Sequence, residues 1–260
     1  MLMKMVSTDR KTISGFGLID MSLKIYLLRH GETEYSQRGA YCGALDAELT
    51  AEGHQMAQTF ADAYRSIPWT DVYVSPMKRA IATAQPLCDA LDLPMQIRDG
   101  LREISYGAWE DQELDYVRQH YEQDYLRWQT DPAWNPPTDG ETAIQIAARA
   151  LPVITEIDSR HKDGNVLVVS HKATIRIILC SLLGIDVGRY RDRINALAAS
   201  VCVVKFSTYG PMLEVLGDRG YMPEHLRNRF LPPSAARWMS MTSPLARAHR
   251  LNPCARSQRL

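Results

Sequence analysis

Two short apolar runs, Ile25 to Leu28 and Val166 to Val169, constrain the fold of this chain more than any other feature. Each has strand length and stops abruptly at polar residues, at Arg29-His30 in the first case and Ser170-His171 in the second. Uninterrupted runs of this kind fit strands buried on both faces, as in the centre of a parallel sheet. A histidine therefore stands at the carboxyl end of each of two buried strands. Open α/β sheets bind ligands in the crevice outside those strand ends. Taken alone, an Arg-His pair after a strand is commonly a solvated loop, so its meaning depends on partners elsewhere in the chain.

The residues between the two runs alternate between helix and strand patterns. Gly31 to Leu49 is a polar, glycine-containing loop, and Thr50 is a suitable N-cap for a helix from Ala51 to about Ser66. Asp71 to Ser75 reads as a strand, Lys78 to Leu91 as a helix and Met95 to Arg98 as a short strand. Leu101 to Trp109 is expected to be a loop carrying Glu103, followed by one helix from about Asp111 to Gln129 whose aromatic residues mark it as a covering element. The punctuated stretch Asp131 to Gly140 precedes a helix from Thr142 to about Arg160, with a kink expected at Pro152. After the second run come a helix from Ala173 to Leu183, capped by Gly184, and an edge hairpin of Val201–Phe206 and Met212–Leu216. The sum is an α/β fold: a three-layer α/β/α sandwich with a mostly parallel sheet and an antiparallel edge strand.

Both ends differ from this pattern. Residues 1–21 lack periodicity and are expected to form a disordered extension, with Met21 as an alternative translation start. The formal net charge is zero, yet Met222 to Leu260 holds seven arginines against the single acid Glu224. Residues 219–260 thus read as a basic, Pro/Arg-rich tail, disordered or loosely packed, and residues 22–218 as the one folded domain. A solvated extension is the commoner explanation of such a tail and ranks above nucleic-acid binding. No run of about eighteen apolar residues occurs, and charged residues interrupt the first twenty, so neither a membrane span nor a secretory signal is expected. Five widely spaced cysteines without a C-x-x-C pair fit reduced thiols and a cytoplasmic protein.

The partners that the strand-end histidines require follow in order. The series is Arg29-His30-Gly31-Glu32-Thr33, Leu49-Thr50-Ala51-Glu52-Gly53, Ser75-Pro76-Met77-Lys78-Arg79-Ala80, Leu101-Arg102-Glu103-Ile104-Ser105-Tyr106-Gly107, Gly140-Glu141-Thr142 and Val168-Val169-Ser170-His171. This ordered set resembles the histidine phosphatase superfamily, in the branch of cofactor-dependent phosphoglycerate mutases and their phosphatase relatives, over about Ser22 to Asp218. A bare R-H-G triplet is weak; the ordered series is specific.

The resemblance implies that His30 attacks phosphorus to give a phosphohistidine, that Arg29, Arg79 and His171 hold the phosphoryl oxygens, and that Glu103 serves as acid and then base. The chemistry is consistent with those residue types. Arginine is a permanently charged fork suited to phosphate, and nearby positive charge keeps an imidazole neutral and nucleophilic. No divalent metal and no cofactor is implied, and the remaining histidines, His54, His120, His161, His225 and His249, are assigned no chemistry.

Two departures favour a phosphatase over a mutase. Ser36 stands where mutases carry asparagine, and the stretch from Glu103 to His171 is shorter than the mutase insertion. Ser36, Tyr41, Tyr106 and Lys172 are the candidates, beside Arg29 and Arg79, for contact with a small phosphorylated metabolite. A mutase and a noncatalytic phospho-ligand sensor are the alternatives, and an oligomer is left open.

Overall fold

In the computed structural model residues 22–230 are described; the expectations for residues 1–21 and for the tail beyond Phe230, including Met21 and Cys254, lie outside them. Strands β1 (Leu23–Arg29), β2 (Trp69–Val74), β3 (Met95–Ile97), β4 (Gly164–Ser170), β5 (Val201–Ser207) and β6 (Gly210–Asp218) form one sheet in the order β3-β2-β4-β1-β5-β6. β1, β2, β3 and β4 are mutually parallel, whereas β5 runs antiparallel to both β1 and β6. The two apolar runs are thus adjacent central strands, and the hairpin closes one side of the sheet.

The helices are α1 (Glu34–Arg38), α2 (Ala51–Tyr64), α3 (Lys78–Leu91), α4 (Leu114–His120), α5 (Glu122–Thr130), α6 (Ala143–Arg160), α7 (Lys172–Leu183) and α8 (Tyr190–Arg193). Successive strand residues point to opposite faces. Leu23, Ile25, Leu27, Val166 and Val168 accordingly pack with α6 and α7 on one side. Leu28, Leu167 and Val169 pack with Phe60 of α2 and Leu87 of α3 on the other. The three-layer sandwich is therefore present. Because the helices leaving β1 and β4 turn to opposite faces, the crevice between the carboxyl ends of these strands is a topological switch point.

Two local expectations need correction. The polar segment before Leu49 contains a helix, α1, started by Thr33, whose side chain accepts from Ser36 N. The single helix expected over Asp111 to Gln129 is two helices, separated at Tyr121, where φ is −128° and ψ 36°. Val117, Tyr125 and Trp128 gather around Trp109 in a cluster separate from the sheet cores. α6, by contrast, continues through Pro152 without ending.

Gly31 and Gly53 set how closely α2 approaches the end of β1. A Cβ on Gly31 would lie 2.6 Å from Gly53 O, and one on Gly53 would lie 2.2 Å from Glu32 O. Thr50 caps α2 as expected, its side chain accepting from Gly53 N at 3.0 Å, and its own N–H donates to Glu32 O at 2.9 Å. A separate unit begins at Glu224 and contains the short helix α9 (Glu224–Arg227). No helix among the described residues is long and apolar enough to cross a membrane.

Candidate active site

β1, β4 and β2 end side by side. Arg29 pairs with Ser170 in the ladder, His30 N donates to Ser170 O at 3.0 Å, and Ser75 N donates to Val169 O at 3.0 Å. The register brings the His30 and His171 rings to 5.1 Å between centroids, inclined by 55°. Both rings are buried.

His30 Nδ1 lies 2.7 Å from Gly31 O. A carbonyl oxygen only accepts, so Nδ1 carries the hydrogen and Nε2 keeps its lone pair. Burial above all, then Arg79 and Arg29, hold this imidazole well below its ordinary pKa of 6.5, against the opposing pull of the Gly31 bond. The ring is neutral at neutral pH, with a nucleophilic Nε2. Its loop is tied to α3: Gly31 N donates to Thr83 Oγ1 at 2.9 Å, and Thr83 Oγ1 donates to Arg79 O at 2.7 Å.

Arg79 is almost fully buried and its guanidinium is fixed at three points. Nη1 donates to Leu45 O at 2.7 Å, Nη2 to Gly43 O at 2.9 Å and Nε to His171 Nδ1 at 3.2 Å. An accepting Nδ1 places the His171 hydrogen on Nε2, which is 2.7 Å from Ser75 Oγ. Burial, followed by Arg79 and His30, lowers the His171 pKa as well. Both ring nitrogens of His171 are thus already engaged, so donation to a ligand at Nδ1 requires a proton gained there and a shift of the Arg79 fork.

Arg29 donates from Nη1 to Ala196 O at 2.9 Å, and its buried Nε has no hydrogen-bond partner among the described residues. Burial lowers its pKa to about 10, and Arg176 and Arg79 repel it further while Glu103 opposes them. It stays charged at neutral pH, with a donor to spare.

Glu103 sits over the start of α7. Its carboxylate accepts from Ile104 N at 3.0 Å, from Ala173 N at 3.1 and 3.3 Å and from Thr174 N at 3.4 Å. The first amides of a helix have no intrahelical acceptor, and this carboxylate supplies one. His171 is the N-cap of the same helix, so Glu103 is anchored beside the histidine pair.

Of the expected substrate contacts, Tyr41, Tyr106 and Lys172 come together with Arg176, Tyr190 and Arg191 around a cavity of about 360 Å³. Ser36 is not among its lining residues; its hydroxyl accepts from Thr33 N at 2.9 Å and donates to Thr33 O at 2.8 Å as part of the α1 cap. Sequence reasoning missed Ser75, Thr83, Arg149, Arg176 and Arg191. A signal existed for Arg176: it lies four residues after Lys172 in a helix with no other charged residue, and that spacing puts both cations on one face. Arg191 carried none, because nothing periodic links it to the strand ends.

The chain was compared with known proteins. The family model described as histidine phosphatase superfamily (branch 1) matches residues 25–219. Phosphoserine phosphatase 1 of Hydrogenobacter thermophilus is 31% identical over 168 residues, covering 65% of this chain and 80% of that protein. The adenosylcobalamin/alpha-ribazole phosphatase of Salmonella typhimurium is 30% identical over 161 residues, covering 62% of this chain and 80% of its own length. Among solved structures, a mycobacterial glucosyl-3-phosphoglycerate phosphatase in complex with VO3 matches with a TM-score of 0.69 at 25% identity, over 75% of this chain and 98% of that one.

Proposed function

This chain belongs to the histidine phosphatase superfamily, and from that premise we propose that it hydrolyses a small phosphomonoester through a phosphohistidine on His30. The observation that carries the reading is the His30 tautomer: Nδ1–H is committed to Gly31 O, which leaves a buried, neutral Nε2 beside two arginines.

In the first half-reaction Nε2 attacks phosphorus as the bond from phosphorus to the ester oxygen breaks, and Glu103, in its acid form, gives its proton to the departing alkoxide. Arg29 and Arg79 hold the charge of the transferring oxygens, and their rigid placement makes this stabilisation effective in a buried site. In the second half the Glu103 carboxylate takes a proton from water as its oxygen bonds to phosphorus and the N–P bond breaks. Inorganic phosphate leaves, and His30 and Glu103 return to their starting states. One group alternating between acid and base fits general acid–base catalysis. The phosphatase names of the relatives support hydrolysis over transfer to a second substrate.

The test is turnover of p-nitrophenyl phosphate with EDTA present, together with acid-quenched detection of a phosphorylated enzyme. Turnover and an acid-labile phosphoprotein, both lost in His30→Ala, are expected. Full activity in His30→Ala overturns the nucleophile; rapid isomerisation of phosphoglycerate that needs a bisphosphorylated primer overturns the hydrolase; tight phosphate binding without turnover overturns both.

A further inference from the structure

Two loops of the site meet on Glu110, a half-buried carboxylate with no part in the chemistry above. Its Oε1 accepts from Ala44 N at 2.9 Å, from Tyr106 N at 3.0 Å and from Ser105 Oγ at 3.4 Å. Ala44 lies in the loop between α1 and α2, and Tyr106 in the loop that carries Glu103. The carboxylate has room because residue 43 is glycine: a Cβ there would lie 2.4 Å from Glu110 Oε1, and φ is +52°.

Each loop passes the contact on through one peptide unit. The amide joining Gly43 to Ala44 presents its N–H to Glu110 and its carbonyl to Arg79 Nη2, at 2.9 Å in both cases. A trans peptide is planar, with its N–H and C=O on opposite sides, so fixing one end aims the other. The anion at the N–H and the cation at the oxygen polarise this amide in the same sense, and each strengthens the other's hydrogen bond. In the second loop the amide joining Ser105 to Tyr106 presents its N–H to Glu110 and its carbonyl to Glu141 N, the latter at 2.9 Å. Arg149 grips the Glu141 carboxylate and also donates to Glu103 O. Hydrogen bonds and rigid amides thus run from the Arg79 fork to the backbone of Glu103, with Glu110 as the middle link.

We propose that Glu110 is a positioning residue that sets the separation between the Arg79 guanidinium and the Glu103 carboxylate. The proposal rests on the phosphatase reading above. A transferring phosphoryl group meets both side chains at once, so loss of the link weakens phosphate binding and proton transfer together.

Three variants of the full chain test it, through calorimetric affinity for inorganic phosphate and kcat/KM on glycerol 3-phosphate and p-nitrophenyl phosphate. Glu110→Ala leaves both amides without their acceptor. It is expected to weaken phosphate about tenfold and to lower kcat/KM on glycerol 3-phosphate by about 10²-fold, with a smaller loss on p-nitrophenyl phosphate, whose phenolate leaves without a proton. Glu110→Asp keeps the charge but is one methylene too short, and is expected to behave like Glu110→Ala. Glu110→Gln keeps an acceptor oxygen at the same reach and is expected to retain most of both properties. Arg149→Met, which frees the Glu103 loop alone, is expected to spare phosphate affinity.

Unchanged phosphate affinity in Glu110→Asp, with the circular dichroism of the unaltered protein, overturns the proposal. So does Glu110→Gln as impaired as Glu110→Asp, because charge and not reach would then be responsible. A lower melting temperature with both readouts unchanged marks a merely structural role and overturns it too. If Glu110→Ala does not fold, the Asp and Gln variants decide. If the unaltered protein hydrolyses no ester, the phosphatase reading fails, and the phosphate affinities of the same variants still decide the link to Arg79.

Discussion

Arg149 donates from Nη2 to the backbone carbonyl of Glu103 at 3.0 Å. The same guanidinium reaches Gly100 O and Arg102 O, each at 2.9 Å, and grips Glu141 through Nε and Nη2 at 3.0 Å. Glu141 in turn accepts from Ser105 N at 2.9 Å. One side chain of α6 thereby fixes the loop that carries the proposed acid.

Arg149 is a positioning residue, and its removal is expected to act on kcat. A misplacement of about 1 Å at a reacting group costs on the order of 10²-fold. Arg149→Met should lower kcat for an alkyl phosphate by about that factor with little change in KM. Arg149→Lys should restore little, because an ammonium cannot reproduce the planar fork. Steady-state kinetics alongside circular dichroism separates this from unfolding.

Glu103→Gln should discriminate by leaving group. An alkoxide needs its proton at once, whereas p-nitrophenolate leaves readily without one. Loss of about 10²–10⁴-fold is expected for glycerol 3-phosphate, against a smaller loss for p-nitrophenyl phosphate. Rapid-mixing experiments should also show a burst of p-nitrophenol, since the phosphoenzyme forms but its hydrolysis lacks a base. Equal losses for both esters would remove Glu103 from the acid role.

Gly53→Ala tests the contact between α2 and β1. Its Cβ would meet Glu32 O at 2.2 Å, a backbone atom that cannot rotate aside. Overpacking of this kind costs about 1–3 kcal/mol, although alanine favours the helix. Urea denaturation should show a lower midpoint with the slope unchanged.

The buried histidines set an acid limit on stability. Both folded pKa values lie well below 6.5, so below about that pH the unfolded chain binds more protons than the folded one. Stability is then fully present above pH 6.5 and falls as the pH drops. His30→Asn should flatten the fall of the melting temperature between pH 6.5 and 5; an unchanged slope would contradict the assignment. The same depression keeps Nε2 unprotonated, so the acid limb of kcat/KM is expected below pH 6.5.

Much of this architecture could be read from local pattern. The runs ending at Arg29-His30 and Ser170-His171 are adjacent parallel strands, and the Thr50 cap is where its residue type indicated. The division at Tyr121 was not legible, because the apolar and aromatic spacing of residues 111–129 satisfies one helix as well as two. Ser36 shows a different limit. Its place six residues after His30 invites a ligand role, while its hydroxyl is spent on the Thr33 backbone.

The sequence by itself determined which strands are buried, which histidines and arginines stand at their ends, and which family the chain resembles, because strand burial and motif spacing are written in neighbouring residues. Only the tertiary structure decided the His30 and His171 tautomers, the anchoring of Glu103 by α7 and Arg149, and the meeting of Lys172, Arg176 and Arg191 around one cavity. Those properties depend on hydrogen-bond partners and charges brought together from distant segments by packing, and no local periodicity encodes such a convergence.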